Sequence, residues 1–126
     1  MSDPSDQSAR AYQQGRVQLE SGDLPGAIAQ LEASVALSPH FKSLELLGEV
    51  FMRSGQALRA IVPLAAATTL NAQVRAPSLL AEALLAVGEP LKAHEIAQLA
   101  LHRDSTNKRA RAVFDSTLET YKSHND

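Results

Sequence analysis

Residues 22–39 read GDLPGAIAQLEASVALSP. Gly22 can take the left-handed backbone that ends a helix. Asp23 can cap the next helix, with Pro25 in its first turn, where a missing N–H costs nothing. Ala27, Ile28, Leu31, Val35 and Leu37 then follow mostly at steps of three and four, the spacing of one buried helix face. Ser38-Pro39 stops the helix, because a residue before proline avoids the helical region. The unit then returns. Residues 22–27 reappear as 55–60 and as 88–93, 33 positions apart each time. A fixed interval of this size marks stacked helical repeats, so the fold class is all-α, an α-solenoid of antiparallel helix pairs.

Outward from this stretch, residues 1–7 (MSDPSDQ) have nothing to bury and are expected to form a disordered tail. A first helix is expected from about Ser8 to Ser21. Others follow from Phe41 to Arg53, Ala57 to Leu70, Ala76 to Val87 and Pro90 to His102. Pro63 lies inside the fourth and predicts a kink or a delayed start. Asp104 or Ser105 can cap a last helix reaching Lys122, with Ala110, Val113, Phe114, Thr117, Leu118 and Tyr121 on one stripe. The organisation is one domain over 8–122. Its repeats cover about 8–40, 41–73 and 74–104, and a capping helix covers about 105–122.

Three places in each pair call for small side chains. Gly15 with Ala27, Gly48 with Ala60, and Ala81 with Ala93 mark the helix crossings; Ser34, Ala67 and Ala100 mark a later turn. Small residues let helix backbones approach closely. The pattern resembles the tetratricopeptide repeat (TPR) family over about Ser8 to Asp104. The first copy matches best, with Gly15, Gly22-Asp23, Ala27-Ile28, Ser34 and Pro39. The family's large aromatic positions are mostly lost, and its closing proline survives only as Pro39. The threonine-proline-leucine-histidine signature of ankyrin repeats, which share the 33-residue period, is absent. The resemblance implies a superhelix whose first helices line a concave groove, with the last helix capping the array.

Composition narrows the function. Lys plus Arg is 12 and Asp plus Glu is 14, a net charge of −2, which argues against general nucleic-acid affinity. There is no Cys, so thiolate metal sites and catalytic thiols are excluded. No apolar run reaches the ~18 residues of a membrane span, and the expected location is cytoplasmic. His94 and His102 lie eight apart on one helix, with only Gln98 four residues from each, so no metal site is expected. No phosphate loop, G-x-S-x-G or HExxH occurs. Neither cofactor nor enzymatic activity is expected.

Periodicity assigns a groove face. The first helix contributes Tyr12, Arg16, Leu19 and Glu20. The second contributes Lys42, Glu45, Glu49, Met52 and Arg53, and the third Arg75, Ser78, Glu82 and Leu85. Leu19, Met52 and Leu85 recur at the 33-residue interval and read either as an apolar floor or as ordinary inter-helix packing. Arg16 with Glu20 and Glu49 with Arg53 are spaced for same-helix pairs. Some family members grip a terminal carboxylate with lysine, asparagine and arginine. Those positions hold Tyr12, Arg16, Leu46, Arg75 and Leu79 here, so that clamp is not expected. Arg103, Lys108, Arg109 and Arg111 form a basic cluster, expected as a solvated face of the last helix. The functional expectation is a protein–protein interaction module, adaptor- or co-chaperone-like, holding a mixed-charge peptide with apolar anchors. Self-assembly through the terminal helix or an uncapped end is the alternative.

Overall fold

The computed structural model describes residues 3–125. Among these lie seven α-helices: α1 (Pro4–Glu20), α2 (Leu24–Leu37), α3 (Phe41–Arg53), α4 (Ala57–Leu70), α5 (Arg75–Ala86), α6 (Pro90–Arg103) and α7 (Lys108–Asn125). α1 packs on α2, α3 on α4 and α5 on α6. The pairs join along the α2–α3, α4–α5 and α6–α7 seams.

The three turns are alike because the same chemistry builds each. Gly22, Gly55 and Gly88 have φ of 86°, 76° and 82°, a region other residues rarely adopt. Their N–H groups donate to the carbonyls of Leu19, Met52 and Leu85. The next N–H groups, of Asp23, Gln56 and Glu89, donate to Gln18, Phe51 and Leu84. This satisfies carbonyls left over at each helix end. Leu19, Met52 and Leu85 thus recur partly because they mark the last turn of α1, α3 and α5.

Small residues set the helix spacing as expected, with Ala27 beside Gly15 and a leucine closer still. A β-carbon on Gly15 would stand 2.8 Å from Leu31 Cγ, and one on Gly48 would stand 2.4 Å from Leu64 Cγ. The equivalent residues of the third pair are Ala81 and Ala97, both fully buried. Where the first helix has no side chain the second carries Leu, and where it has a methyl the second carries Ala.

Four expectations are corrected. Helix α1 starts at Pro4, so residues 3–7 are not a disordered tail; residues 1 and 2 lie outside the described residues. Asp3 caps that helix, its carboxylate accepting the Asp6 N–H at 2.9 Å, and Pro4 fits its first turn. Helix α4 runs unbroken past Pro63, without a delayed start. The last helix is capped by Asn107, whose side chain accepts the Ala110 N–H at 2.8 Å, while Asp104 binds the Thr106 amide and hydroxyl one turn earlier. That helix continues to Asn125 rather than ending near Lys122.

Candidate functional site: a polar groove across α1, α3 and α5

A cavity of about 370 Å³ opens on the first helices of the pairs, lined by Tyr12, Arg16, Leu19, Glu20, Leu46, Glu49 and Arg75. Tyr12, Arg16, Leu19 and Glu20 reach it from α1 because they follow steps of four, three and one along one helix face. Leu19 and Leu46 are half-buried and pack against the core, forming an apolar floor beside the Tyr12 ring. Leu46 is the residue that the periodic reading left out. Its signal was its spacing from Lys42, Glu49 and Arg53, which puts it on the same side of α3.

The two walls differ electrostatically. On the far wall, Arg75 at the start of α5 bonds Glu49 and lies 3.7 Å from Glu45. Arg53 approaches Glu49 at 3.6 Å, the expected same-helix pair. Glu49 and Glu45 are largely buried, with side chains 12% and 16% exposed. Burial pushes the Glu45 carboxyl above its ordinary value, opposed by the Arg75 charge. On the near wall, Arg16 and Glu20 are exposed. Among the described residues neither enters an ion pair within 4.0 Å, so the expected pairing between them does not form.

Other members of the expected face lie elsewhere. Lys42 borders a separate depression of about 260 Å³ with Ser5, Ser8, Ser38 and His40, which touches the first cavity only through Tyr12. Met52 is half-buried against the core. Glu82 and Leu85 face α7 across a depression shared with Ala112 and Val113, where Glu82 meets Arg109 at 3.2 Å. Ser78 is not at the groove surface: it is 2% exposed, and its hydroxyl donates to the Arg75 carbonyl.

The basic cluster is also not a simple solvated face. Arg103 donates to the carbonyls of Thr68, Asn71 and Gln73, closing the end of α4 from 30 or more residues away. Arg109 holds Glu82, and Arg111 lies over the Phe114 ring at 5.4 Å. Only Lys108 of the four is left without such a contact among the described residues. No group of three or more potential metal ligands occurs among the described residues, and no helix there is long and apolar enough to cross a membrane.

No protein-family model and no curated protein matches the sequence. Solved structures do match the backbone. The first TPR of Spaghetti (RPAP3), bound to the HSP90 peptide SRMEEVD, superposes with a TM-score of 0.85 over 92% of this chain and 94% of that one, at 16% identity. This chain has the tetratricopeptide-repeat fold. The TPR arrangement is shared by a crystal structure of MamA, with a TM-score of 0.87 at 20% identity over 95% of this chain and 67% of that one. It is shared too by the Yersinia enterocolitica type III secretion chaperone SycD in complex with a peptide of the translocator YopD, with a TM-score of 0.76 at 24% identity over 97% of each chain. In TPR terms the cavity lies where first helices face one another across the array.

Proposed function

We propose that this chain is a non-catalytic protein-interaction module that holds a peptide segment of a partner in the groove across α1, α3 and α5. It acts as an adaptor or co-chaperone-like protein in the cytoplasm. The observation that carries this reading is the asymmetric cavity itself: an apolar floor of Leu19 and Leu46, one wall of locked charges and one wall of free ones. Peptide recognition in a groove combines apolar anchors with a few oriented polar groups. The peptides held by the first TPR of Spaghetti and by SycD support the same use of the fold.

The walls suggest the segment's chemistry. Glu49 and Arg75 already satisfy one another, so a ligand gains little from them and would have to disrupt buried pairs to engage them. Arg16 and Glu20 have charge to offer. A segment with an apolar side chain for the Leu19–Leu46 floor, flanked by an acidic residue for Arg16 and a basic one for Glu20, suits this surface. A terminal carboxylate clamp of several cations does not.

Selection from a randomised peptide display library tests this. Binders are then mapped by NMR on the labelled protein. Enriched acidic–apolar–basic segments that shift Tyr12, Leu19, Leu46 and Arg75 would support the reading. Binders that shift only α2, α4 and α6 would move the site to the opposite face.

A further inference from the structure

The seams between successive pairs are built from equivalent positions, so one chain offers its own comparison. The first two seams place Ile28 and Ile61 at a position that His94 occupies in the third, 33 residues on. Opposite them, Phe51 and Leu84 give way to Thr117. Ile28, Phe51 and Leu84 are buried apolar residues, and Ile61 packs against the same core. The α6–α7 seam instead buries a polar pair: His94 and Thr117 are each 1% exposed, with Nδ1 and Oγ1 2.8 Å apart.

Burial of the ring penalises its charged form. Phe114 and Tyr121 of α7 stack on the His94 imidazole at centroid distances of 4.4 and 4.2 Å. The Thr117 hydroxyl lies 2.8 Å from the Val113 carbonyl and donates its one proton there, so it accepts from Nδ1–H of His94. Nε2 is then the bare nitrogen. It is buried, and no described group reaches it. A proton placed on Nε2 would create a buried cation whose new N–H has no acceptor.

Nearby charges do not compensate. On α6, Glu95 favours the cation from the adjacent position. On α7, Arg111 sets a like charge over the Phe114 ring. Helix α5 carries two charges, Arg75 and Glu82, committed to Glu45 and Glu49 and to Arg109 respectively. Burial is the largest influence and holds the imidazole below its ordinary value, against the Phe114 backbone and Glu95.

We propose that the His94–Thr117 pair is an acid-sensitive latch, which holds α7 against α6 while the imidazole is neutral and releases α7 when the ring takes up a proton. A group whose folded pKa is depressed contributes stability above its unfolded value that is lost as pH falls. Docking of α7 is therefore complete above about pH 6.5, the ordinary histidine value, and weakens below it. Release uncovers the sides of α5 and α6 that face α7, around Leu85, Ala86 and His94.

Hydrogen–deuterium exchange between pH 5 and 7.5 tests the latch, with rates corrected for the intrinsic pH dependence of exchange. The open fraction of α7 rises by up to about tenfold per pH unit below 6.5 in the native protein, ahead of α1 to α4. It stays flat in H94I/T117L, which copies the Ile61–Leu84 seam. A flat native profile, or an equal rise in the variant, overturns the proposal. Should the variant fail to fold, NMR titration of His94 in the native protein decides. A midpoint below 6.5 that coincides with α7 opening supports the latch, and one at or above 6.5, or a charged ring with α7 still closed, refutes it.

Discussion

Gly48 on α3 lies directly beneath Leu64 on α4, so that a β-carbon on the glycine would stand 2.4 Å from both Cγ and Cδ2 of the leucine. The leucine fills the space that the glycine leaves, and the third pair solves the same crossing with Ala81 and Ala97. Gly48→Ala alone should destabilise the protein: overpacking costs about 1–3 kcal/mol, offset by about 1 kcal/mol of helix propensity. Leu64→Ala alone should cost about 2–5 kcal/mol by leaving a cavity. The double variant recreates the third crossing and should lose less than the sum of the two, by about 1 kcal/mol or more. Urea denaturation of the four proteins measures this coupling, and simple additivity would count against the packing rule.

Arg75 neutralises two carboxylates that are largely out of water. Arg75→Gln should cost about 1–2 kcal/mol at pH 7, at the lower end for a charged hydrogen bond because the guanidinium is half-exposed. Glu45 already has its folded pKa raised by burial, so stability falls as pH rises from about 4.5 through that raised value. Removing Arg75 strengthens this trend. The gap between native protein and variant should therefore shrink toward pH 4, where the Glu45 carboxyl becomes protonated. Chemical denaturation at both pH values checks the sign, and a gap that widens in acid would contradict the assignment.

Arg103 joins the third pair to the second by donating to three carbonyls around the end of α4. Arg103→Ala should destabilise by about 1–3 kcal/mol, since the carbonyls lose a charged donor. Arg103→Lys should recover only part of this, because an ammonium lacks the planar fork that spans separate acceptors. Thermal melts of the two variants would show it; full recovery by lysine would reduce the role of Arg103 to charge alone.

The architecture was legible because it is written locally and three times. Gly22, Gly55 and Gly88 mark turns whatever surrounds them, and the periodic apolar residues mark the faces that the turns bring together. The start of α1 was hidden by composition: residues 3–7 look like a tail, but Asp3 and Pro4 are a cap and a first turn. The groove was legible as a helix face, so Tyr12, Arg16, Leu19, Glu20, Glu49 and Arg75 meet around one cavity. What periodicity could not supply was partner choice across helices. Nothing in the spacing says that Ser78 turns back to the Arg75 carbonyl, that Arg103 caps a helix 30 residues away, or that Arg109 reaches Glu82. The buried serines are a similar case. Ser34 was legible as a small residue, but its hydroxyl lies 2.9 and 2.8 Å from those of Ser8 and Ser43, a link among three helices that no single-helix pattern encodes.

In the proposed function a partner segment lies in the groove of α1, α3 and α5 and takes its charge contacts from the near wall. The direct measurement is the Kd of one selected peptide for the native protein, for Arg16→Glu, and for Leu58→Ser/Val62→Ser on the exposed face of α4, each first checked for native helicity. Reversing the Arg16 charge should weaken binding by about tenfold or more, as expected when an attractive contact becomes a like-charge one. The α4 variant should bind like the native protein. Unchanged binding to Arg16→Glu, with loss in the α4 variant, would contradict the account and place recognition on the second helices.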